Sequence, residues 1–382
     1  MVSNLMLPFG VIIPQIILNI FREDKKREKV YVVGNGWGSY FFVKNLDKNK
    51  FEPVIIAPNL KVLNTPKLTN LLVNSNAEVE FTNPYAEIIL DMVEDIDIEK
   101  KKIITKSGSV IPYNRVVLSI GSEPNDFGIP GVLTHTYKFK TISDANALRK
   151  KLDSIRINNQ VYVVGSGITG IEIASKVGKI FNVKVIEGLG TILPGYSDLT
   201  KSIIWEHLKQ TQRYIDIETN TMVKYIGNNF IKVNKTDKNI IQDWTYDSKK
   251  DLIIWSGGVR LNGFGDKNTL FNTLNKIKPI RSPRGLDVEE DFSIQKNLGI
   301  YCIGDMVANK GPPSAQNARI QAEYLAKYFN SGFDENFLKS NKFESKSKGK
   351  LVHLVNNTYL ESEFYSGFIP GFIDKIIEWT NK

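Results

Sequence analysis

Cysteine is almost absent from this chain of 382 residues, in which Cys302 is the only one. A single cysteine excludes an intramolecular disulfide framework and a redox-active dithiol within the chain. Histidine is nearly as rare, and the spacing of His135, His207 and His353 does not suggest a metal site. The sequence therefore predicts neither a disulfide scaffold nor a metal centre, and Cys302, inside an apolar strand, is predicted to be a buried packing residue.

A long uninterrupted apolar run is also missing. The most apolar stretch, residues 5–21, is broken by two prolines and by Gln15 and Asn19, and a charged run follows it. A membrane-spanning helix needs about 20 mostly apolar residues. Three interpretations stay open for this stretch: a targeting segment, an interfacial anchor, or an N-terminal strand and loop. Without a transmembrane bundle, we expect no proton pumping.

Positive charge exceeds negative charge, with a formal net charge of +9 at pH 7. The lysines are scattered through predicted loops, and the chain has none of the arginine–aromatic interleaving of nucleic-acid platforms. We interpret the charge as a solvated basic surface, with attraction to an anionic membrane surface as the alternative. No nucleic-acid partner is expected.

A glycine cluster follows the β-branched run Val30 to Val33. Gly34, Gly36 and Ser39 occupy the three small positions of the dinucleotide-binding pattern G-x-G-x-x-G/A. The first allows a tight turn, the second lets the backbone approach a pyrophosphate, and the third lets helix and strand pack closely. The start of the following helix would then point free N–H groups at the phosphates.

The same pattern recurs at Gly165, Gly167 and Gly170, again after a β-branched strand. Here Glu187 follows Gly165 by 22 residues, which is the spacing of a carboxylate that binds a ribose 2′-hydroxyl. Because a carboxylate would repel a 2′-phosphate, it favours NADH over NADPH. The first copy lacks such an acid, since Ala57-Pro58-Asn59 stands in that place.

Apolar strands that end in glycine complete the pattern at Gly121, Gly257 and Gly304-Asp305, and a helix is predicted from about Ser314 to Phe329. We therefore predict an α/β fold with two Rossmann-like dinucleotide-binding domains, the second inserted into the first. The predicted boundaries are an apolar segment (1–28), the first domain in two parts (29–140 and 259–330), the inserted domain (141–258) and a C-terminal segment (331–382).

Together these motifs resemble the flavoproteins with two dinucleotide-binding domains, and among them the type II, or alternative, NADH:quinone oxidoreductases. The resemblance covers about residues 29–330. The pieces that carry it are Gly34-Asn-Gly-Trp-Gly-Ser39, Thr65-Pro66, Glu123-Pro-Asn-Asp-Phe-Gly-Ile-Pro-Gly131, Gly165-Ser-Gly-Ile-Thr-Gly-Ile-Glu172, Ile303-Gly-Asp305, Pro313-Ser-Ala-Gln-Asn-Ala318 and Ala322-Glu-Tyr-Leu-Ala326.

The resemblance implies that the first domain binds FAD and the second binds NADH. It places Asp305 on the ribityl chain of FAD, Gln316 beside the flavin ring where quinone arrives, and Glu172 near the nicotinamide–flavin contact. The other residues that it implies in cofactor binding are Gly34, Gly36, Trp37, Gly38, Ser39, Thr65, Pro66, Gly121, Gly165, Gly167, Gly170, Glu187, Gly257, Gly304 and Ala315. Trp37 is equally a candidate for core packing.

Two departures from the family pattern lie beyond Gln316. Ile320-Gln321 stands where relatives often have Gln-Glu, and Arg319 stands where some have His. The implied activity is hydride transfer from NADH to flavin and electron transfer on to a quinone. Two alternatives stay open: a relative of the apoptosis-inducing-factor or ferroptosis-suppressor flavoproteins with another acceptor, and a non-catalytic redox-sensing flavoprotein.

The tail predicts an amphipathic helix after Pro370. Its apolar side comprises Phe368, Phe372, Ile373, Ile376, Ile377 and Trp379, and its polar side comprises Asp374, Lys375, Glu378 and Lys382. We expect it to lie on a membrane surface, of the mitochondrial inner or bacterial plasma membrane type, near the quinone. The alternative is packing against the protein's own core or against a second subunit in a homodimer.

Overall fold

Two parallel sheets of five strands each organise the chain. The computed structural model describes residues 27–211, 215–264, 269–280, 282–345, 349–355, 357–362 and 365–369, and the backbone of a short antiparallel pair, Leu5–Met6 with Ile12–Ile13. The amphipathic helix predicted after Pro370 and the remainder of residues 1–26 lie outside the described residues.

The first sheet has the strand order Ile300–Cys302, Arg115–Leu118, Glu28–Val33, Phe51–Ala57 and Glu87–Leu90, with every pair parallel. Its central strands are buried on both faces, which is why they read as unbroken β-branched runs rather than as alternating patterns. Helices Trp37–Asn45 and Ala315–Asn330 cover one face together, with the rings of Phe42 and Phe329 meeting edge to face at 5.2 Å.

The second sheet has the order Tyr137–Lys138, Leu252–Trp255, Gln160–Val164, Asn182–Ile186 and Ile215–Glu218, again all parallel. Its helices are Ile142–Ser154, Ile168–Val177 and Asp198–Thr211. Two dinucleotide-binding units with one inserted in the other confirm the predicted fold class. The edge strand Tyr137–Lys138, just before the predicted boundary at residue 141, pairs in this sheet.

Two crossing strands join the units. Ser122–Pro124 pairs antiparallel with Val259–Leu261, and Arg260 Nε lies 2.7 Å from Glu123 Oε1 across the pair. The 3₁₀ helix Thr65–Leu72 comes from the first unit's sequence, yet Leu68 and Leu71 pack into the core of the second. The chain therefore connects the two units by packing as well as by covalent linkage.

The remaining elements are smaller. Three-stranded antiparallel sheets are formed by Val93–Asp97, Lys102–Thr105 and Val110–Pro112, and by Thr221–Ile226, Phe230–Lys235 and Ile240–Thr245. Lys61–Leu63 pairs with Glu80–Thr82. The short helices are Val132–His135, Thr269–Ile277 and Glu335–Ser340, and a 3₁₀ turn spans Gly304–Met306.

A third antiparallel sheet, Lys350–His353, Thr358–Glu361 and Ser366–Ile369, closes the described chain. Val352 and Tyr359 pack against Ile171 of the second unit. Phe368, which we assigned to an amphipathic helix, lies in this sheet and contacts the rings of Tyr359 and His207. That assignment was wrong because Phe368 precedes the proline at which the helical pattern begins.

Candidate functional site

The two glycine turns have the same geometry. Gly34 and Gly165 both have φ of +99°, and a β-carbon on either would stand 2.4 Å from a backbone carbonyl oxygen of the neighbouring strand end. The oxygen belongs to Ser119 beside Gly34 and to Ser256 beside Gly165. Both positions therefore require glycine for two reasons, a left-handed φ and the closeness of the adjacent backbone.

The third small position differs between the turns. At Gly170 a β-carbon would stand 2.0 Å from the Gly165 carbonyl oxygen, so no side chain fits. At the equivalent place the first turn has Ser39, which is buried and donates a hydrogen bond of 2.6 Å to the Gly34 carbonyl oxygen. Gly38 is also constrained, because its β-carbon would lie 2.6 Å from Ser119 Oγ.

Open space lies at the second position of each turn. A β-carbon on Gly36 or Gly167 would meet no atom within 4 Å, and these two residues are the N-caps of helices Trp37–Asn45 and Ile168–Val177. No side chain among the described residues caps either helix, so the N–H groups of the first turns are available. Such a helix end attracts anions. Each glycine turn, together with the start of the helix that follows it, is here called a cradle, and both cradles fit a pyrophosphate.

Trp37 begins the first of these helices. Its ring stacks on Phe41 at 5.7 Å and meets Phe81 edge-on at 5.7 Å, which is the packing role considered from the sequence. Its indole Nε1 is buried without a hydrogen-bond partner among the described residues. A buried N–H of this kind is costly unless something accepts from it, so it fits a bound polar group at the turn.

Glu187 lies at the end of strand Asn182–Ile186 beside the second turn. Its Oε2 accepts hydrogen bonds from the backbone N and the Oγ of Ser166, at 2.8 and 2.6 Å, and its Oε1 accepts from Leu189 N at 2.8 Å. The carboxylate is thus fixed against the glycine turn, at the place where the sequence spacing predicted a ribose-binding acid.

Gly304 and Asp305 follow the edge strand of the first sheet. The N–H of Gly304 donates to Gln321 Oε1 at 2.7 Å, while Gln321 Nε2 donates to the Lys310 carbonyl oxygen at 3.2 Å. Gln321 is fully buried, and it holds the turn that presents Asp305. The sequence marked Gln321 only as a departure from the family pattern, and nothing local to it predicted this contact.

Gln316 and Ala315 begin helix Ala315–Asn330, whose N-cap is Ser314. The helix packs on the Gly304 turn through Ala318, so the structure brings the start of this helix and Asp305 to the same end of the first unit.

Gly121, with φ of +71°, leads into the first crossing strand. Gly257 lies against the Gly165 turn, and Thr65 and Pro66 begin the 3₁₀ helix that reaches the second unit.

Glu172 is enclosed by side chains and backbone from distant parts of the chain. It lies in the second turn of helix Ile168–Val177 and is 4% exposed. Its Oε2 accepts from Thr69 Oγ1 at 3.1 Å, its Oε1 accepts from the backbone N of His353 at 2.9 Å, and Lys176 Nζ donates to the same Thr69 hydroxyl at 2.5 Å. Burial raises the pKa of Glu172 and lowers that of Lys176.

Two other expectations concern metals and thiols. The described residues contain no group of three or more His, Cys, Asp and Glu side chains placed to hold a metal ion. Cys302 is fully buried in strand Ile300–Cys302, and burial raises the pKa of its thiol. This agrees with the predicted packing role.

Two dinucleotide cradles, one in each of two interleaved Rossmann-like units, define the class of two-domain nucleotide-binding oxidoreductases. The chain belongs to the pyridine nucleotide-disulphide oxidoreductase family, whose model matches residues 28–322. Its one cysteine sets it apart from the disulphide chemistry in that family's name.

The chain is also similar to particular proteins and solved structures. The chain is 27% identical to the mitochondrial external alternative NADH-ubiquinone oxidoreductase of Yarrowia lipolytica, over 80% of this chain and 60% of that protein. It is 28% identical to a probable NADH dehydrogenase of Dictyostelium discoideum, over 93% and 86%. The structure of Plasmodium falciparum NDH2 in complex with NADH superposes with a TM-score of 0.77 at 19% identity, over 93% and 94%.

These relatives confirm the resemblance to the alternative NADH:quinone oxidoreductases that the motifs suggested. The chain spans less than two thirds of the length of the first curated relatives that it matches. No helix among the described residues is both long enough and apolar enough to cross a membrane.

Proposed function

We propose that this chain is a flavoenzyme that oxidises NADH and reduces a quinone without pumping protons. The observation that carries the proposal is the pair of equivalent glycine turns, one in each unit and the second with Glu187 fixed against it, in a chain whose relatives are named NADH-ubiquinone oxidoreductases. When bound, FAD would accept a hydride from NADH and pass two electrons to the quinone.

The residues of the first cradle would hold FAD. Gly34 and Gly36 leave room for the pyrophosphate, the N–H groups at the start of helix Trp37–Asn45 would donate to it, and Trp37 Nε1 offers one further donor. Asp305 would accept from hydroxyls of the ribityl chain. Ser39, Gly38, Thr65, Pro66, Gly121 and Gly304 shape the surrounding backbone.

The residues of the second cradle would hold NADH. Gly165, Gly167 and Gly170 would bring the backbone against its pyrophosphate, with Gly257 closing the other side. The Glu187 carboxylate would accept from a ribose hydroxyl in addition to its three present donors, since each carboxylate oxygen has about two acceptor sites.

The acceptor end would lie at the start of helix Ala315–Asn330, where Gln316 would hydrogen-bond an arriving quinone. Reduction of a quinone takes up protons, and Glu172 is an enclosed carboxyl whose pKa burial raises, so it would be the group that holds one. Because Glu172 is enclosed, a proton would reach it through Thr69 or Lys176 rather than directly from solvent.

Anaerobic titration of the purified protein with NADH, followed by steady-state assay with a short-chain quinone, tests the proposal. We expect flavin absorbance that bleaches with NADH and many turnovers per flavin. A protein that lacks flavin and cannot take up FAD would defeat the proposal. A flavin that is reduced once and then stays reduced with every quinone tried would indicate a redox sensor, or an enzyme with another acceptor.

We also propose that the C-terminal residues 371–382 attach the protein to a membrane surface, where the quinone is dissolved. Their apolar and charged residues fall on opposite sides of the predicted helix, which favours a helix lying flat at the interface, and the net charge of +9 would add attraction to anionic lipids. Replacing Ile373 and Ile377 by lysine should abolish flotation with anionic liposomes while NADH oxidation in solution continues. If flotation persists and a dimer is lost instead, the segment serves subunit contact.

A further inference from the structure

Three side chains from separate parts of the chain meet at Asp305. Ser122 lies on the first crossing strand, Lys140 lies two residues before helix Ile142–Ser154 of the second unit, and Asp305 belongs to the first unit. Ser122 Oγ donates to Asp305 Oδ2 at 2.7 Å, and Lys140 Nζ donates to Ser122 Oγ at 2.9 Å. Lys140 Nζ also lies 3.4 Å from Asp305 Oδ2.

Both contacts converge on one oxygen of the carboxylate. Oδ2 receives the hydroxyl and the ammonium, while Oδ1 accepts no hydrogen bond from the described residues. Because Lys140 donates to the Ser122 hydroxyl oxygen, the hydroxyl hydrogen is free to point at the Asp305 carboxylate. The hydrogen bonds therefore run from Lys140 to Ser122 and from Ser122 to Asp305. The arrangement fixes the plane of the carboxylate and leaves Oδ1 to another donor.

The group is shielded from water more than a surface ion pair is. Ser122 is 9% exposed, and the side chains of Lys140 and Asp305 are 28% and 20% exposed. Charge-assisted hydrogen bonds in such surroundings orient a side chain more strongly than pairs on open surface, which contribute little. Lys140 also reaches the first unit from a backbone position next to the edge strand of the second sheet.

We propose that Lys140 is a positioning residue for the flavin: through Ser122 it turns Asp305 so that Oδ1 meets the ribityl hydroxyls of FAD. This inference rests on the proposed function, since it assumes that the first cradle binds FAD. It adds that a residue of the inserted unit sets the affinity of the first unit for its cofactor.

The test measures the FAD dissociation constant of deflavinated protein by flavin fluorescence, for the wild type and for Lys140→Met, Lys140→Arg and Ser122→Ala. We expect roughly 10- to 100-fold weaker binding for Lys140→Met and Ser122→Ala, the usual effect of losing a hydrogen bond to a charged group. Lys140→Arg, which keeps the charge and the donor, should recover most of the affinity. Lys184→Met is the matched control, because Lys184 is 27% exposed, pairs with Asp216 at 2.7 Å and lies on a strand of the second unit.

Thermal melting of the same deflavinated proteins separates positioning from folding. Positioning predicts that the melting temperature of the apoprotein changes little in Lys140→Met, while the increase on adding FAD becomes smaller. Wild-type FAD affinity in Lys140→Met, or an equal loss in Lys184→Met, overturns the inference. If Lys140→Met does not fold, the affinity of Lys140→Gln decides in the same way. A wild type that binds no FAD would instead refute the proposed function itself.

Discussion

Gly34 lies so close to Ser119 that a β-carbon on the glycine would stand 2.4 Å from the serine carbonyl oxygen. The same relationship joins Gly165 to Ser256 in the other unit. The same substitution can therefore be made in each turn, and each should disturb the binding of a different nucleotide.

We predict that Gly34→Ala loses FAD, whereas Gly165→Ala keeps FAD and weakens NADH binding. The affinity for the nucleotide should fall roughly tenfold or more in each variant, because a loss of about 1.4 kcal/mol in binding free energy is enough for a tenfold change. Flavin content and the KM for NADH measure the two effects. Gly108→Ala is the control for backbone strain alone, since Gly108 has φ of +89° with no atom within 4 Å of a β-carbon. Equal effects of Gly34→Ala and Gly165→Ala on FAD would contradict separate sites.

Glu187 should make the enzyme prefer NADH to NADPH. Its carboxylate is held at the glycine turn by Ser166 and Leu189, so it cannot readily swing away from a 2′-phosphate. In Glu187→Gln we expect the ratio of kcat/KM values for the two nucleotides to fall by roughly tenfold, because the repulsion between like charges is removed. A wild type that prefers NADPH, or a ratio that the substitution leaves unchanged, would show that Glu187 does not select the nucleotide.

Gln316→Ala should slow electron transfer to the quinone and leave flavin reduction by NADH nearly unchanged. Stopped-flow absorbance resolves the two half-reactions, and a fall of roughly tenfold in the second is expected from the loss of one hydrogen bond to the acceptor. Lys327→Ala, an exposed position on the same helix, is the control. Slower hydride transfer with intact quinone reduction would reverse the assignment.

The buried carboxyl of Glu172 should make stability depend on pH. Burial raises its pKa in the folded protein above the usual value of 4.5, so the folded state keeps its proton to higher pH than the unfolded state does. This contribution is fully present below pH 4.5 and is lost as pH rises through the folded pKa. Over that window the wild type should lose up to about 1.4 kcal/mol of unfolding free energy per pH unit relative to Glu172→Gln.

Urea unfolding at several pH values measures the difference. Glu99→Gln, at an exposed turn, should run parallel to the wild type. If the wild type and Glu172→Gln run parallel instead, the carboxyl does not titrate differently in the two states, and Lys176 and His353 hold it ionised.

Features that depend on local spacing were predictable from the sequence. The glycine turns, Glu187 and the helix that starts after Ser314 each follow from residues within one turn or one βαβ unit. The fold class followed from the repetition of that unit. Glycine at these positions is dictated by backbone geometry, which leaves a recognisable pattern in any chain.

Features that depend on distant contacts were not predictable. Gln321 matters because it reaches Gly304, and Glu172 is enclosed because Thr69 and His353 approach it from far away in the sequence. The sheet from Lys350 to Ile369 was also missed, since its short strands alternate weakly and become stable only by packing on the second unit. These contacts join residues that are far apart in the sequence, so no pattern among neighbouring residues indicates them.

The first sheet receives its edge strand, Ile300–Cys302, only after the whole of the second sheet has been made. A ribosome adds roughly 5–20 residues per second, so strand Arg115–Leu118 would wait on the order of 10–40 s for this neighbour. The inserted unit can complete its sheet during that interval. The FAD cradle would then be finished around a neighbour that is already folded, and a slow ribosome would leave the apolar edge of Arg115–Leu118 uncovered for longer.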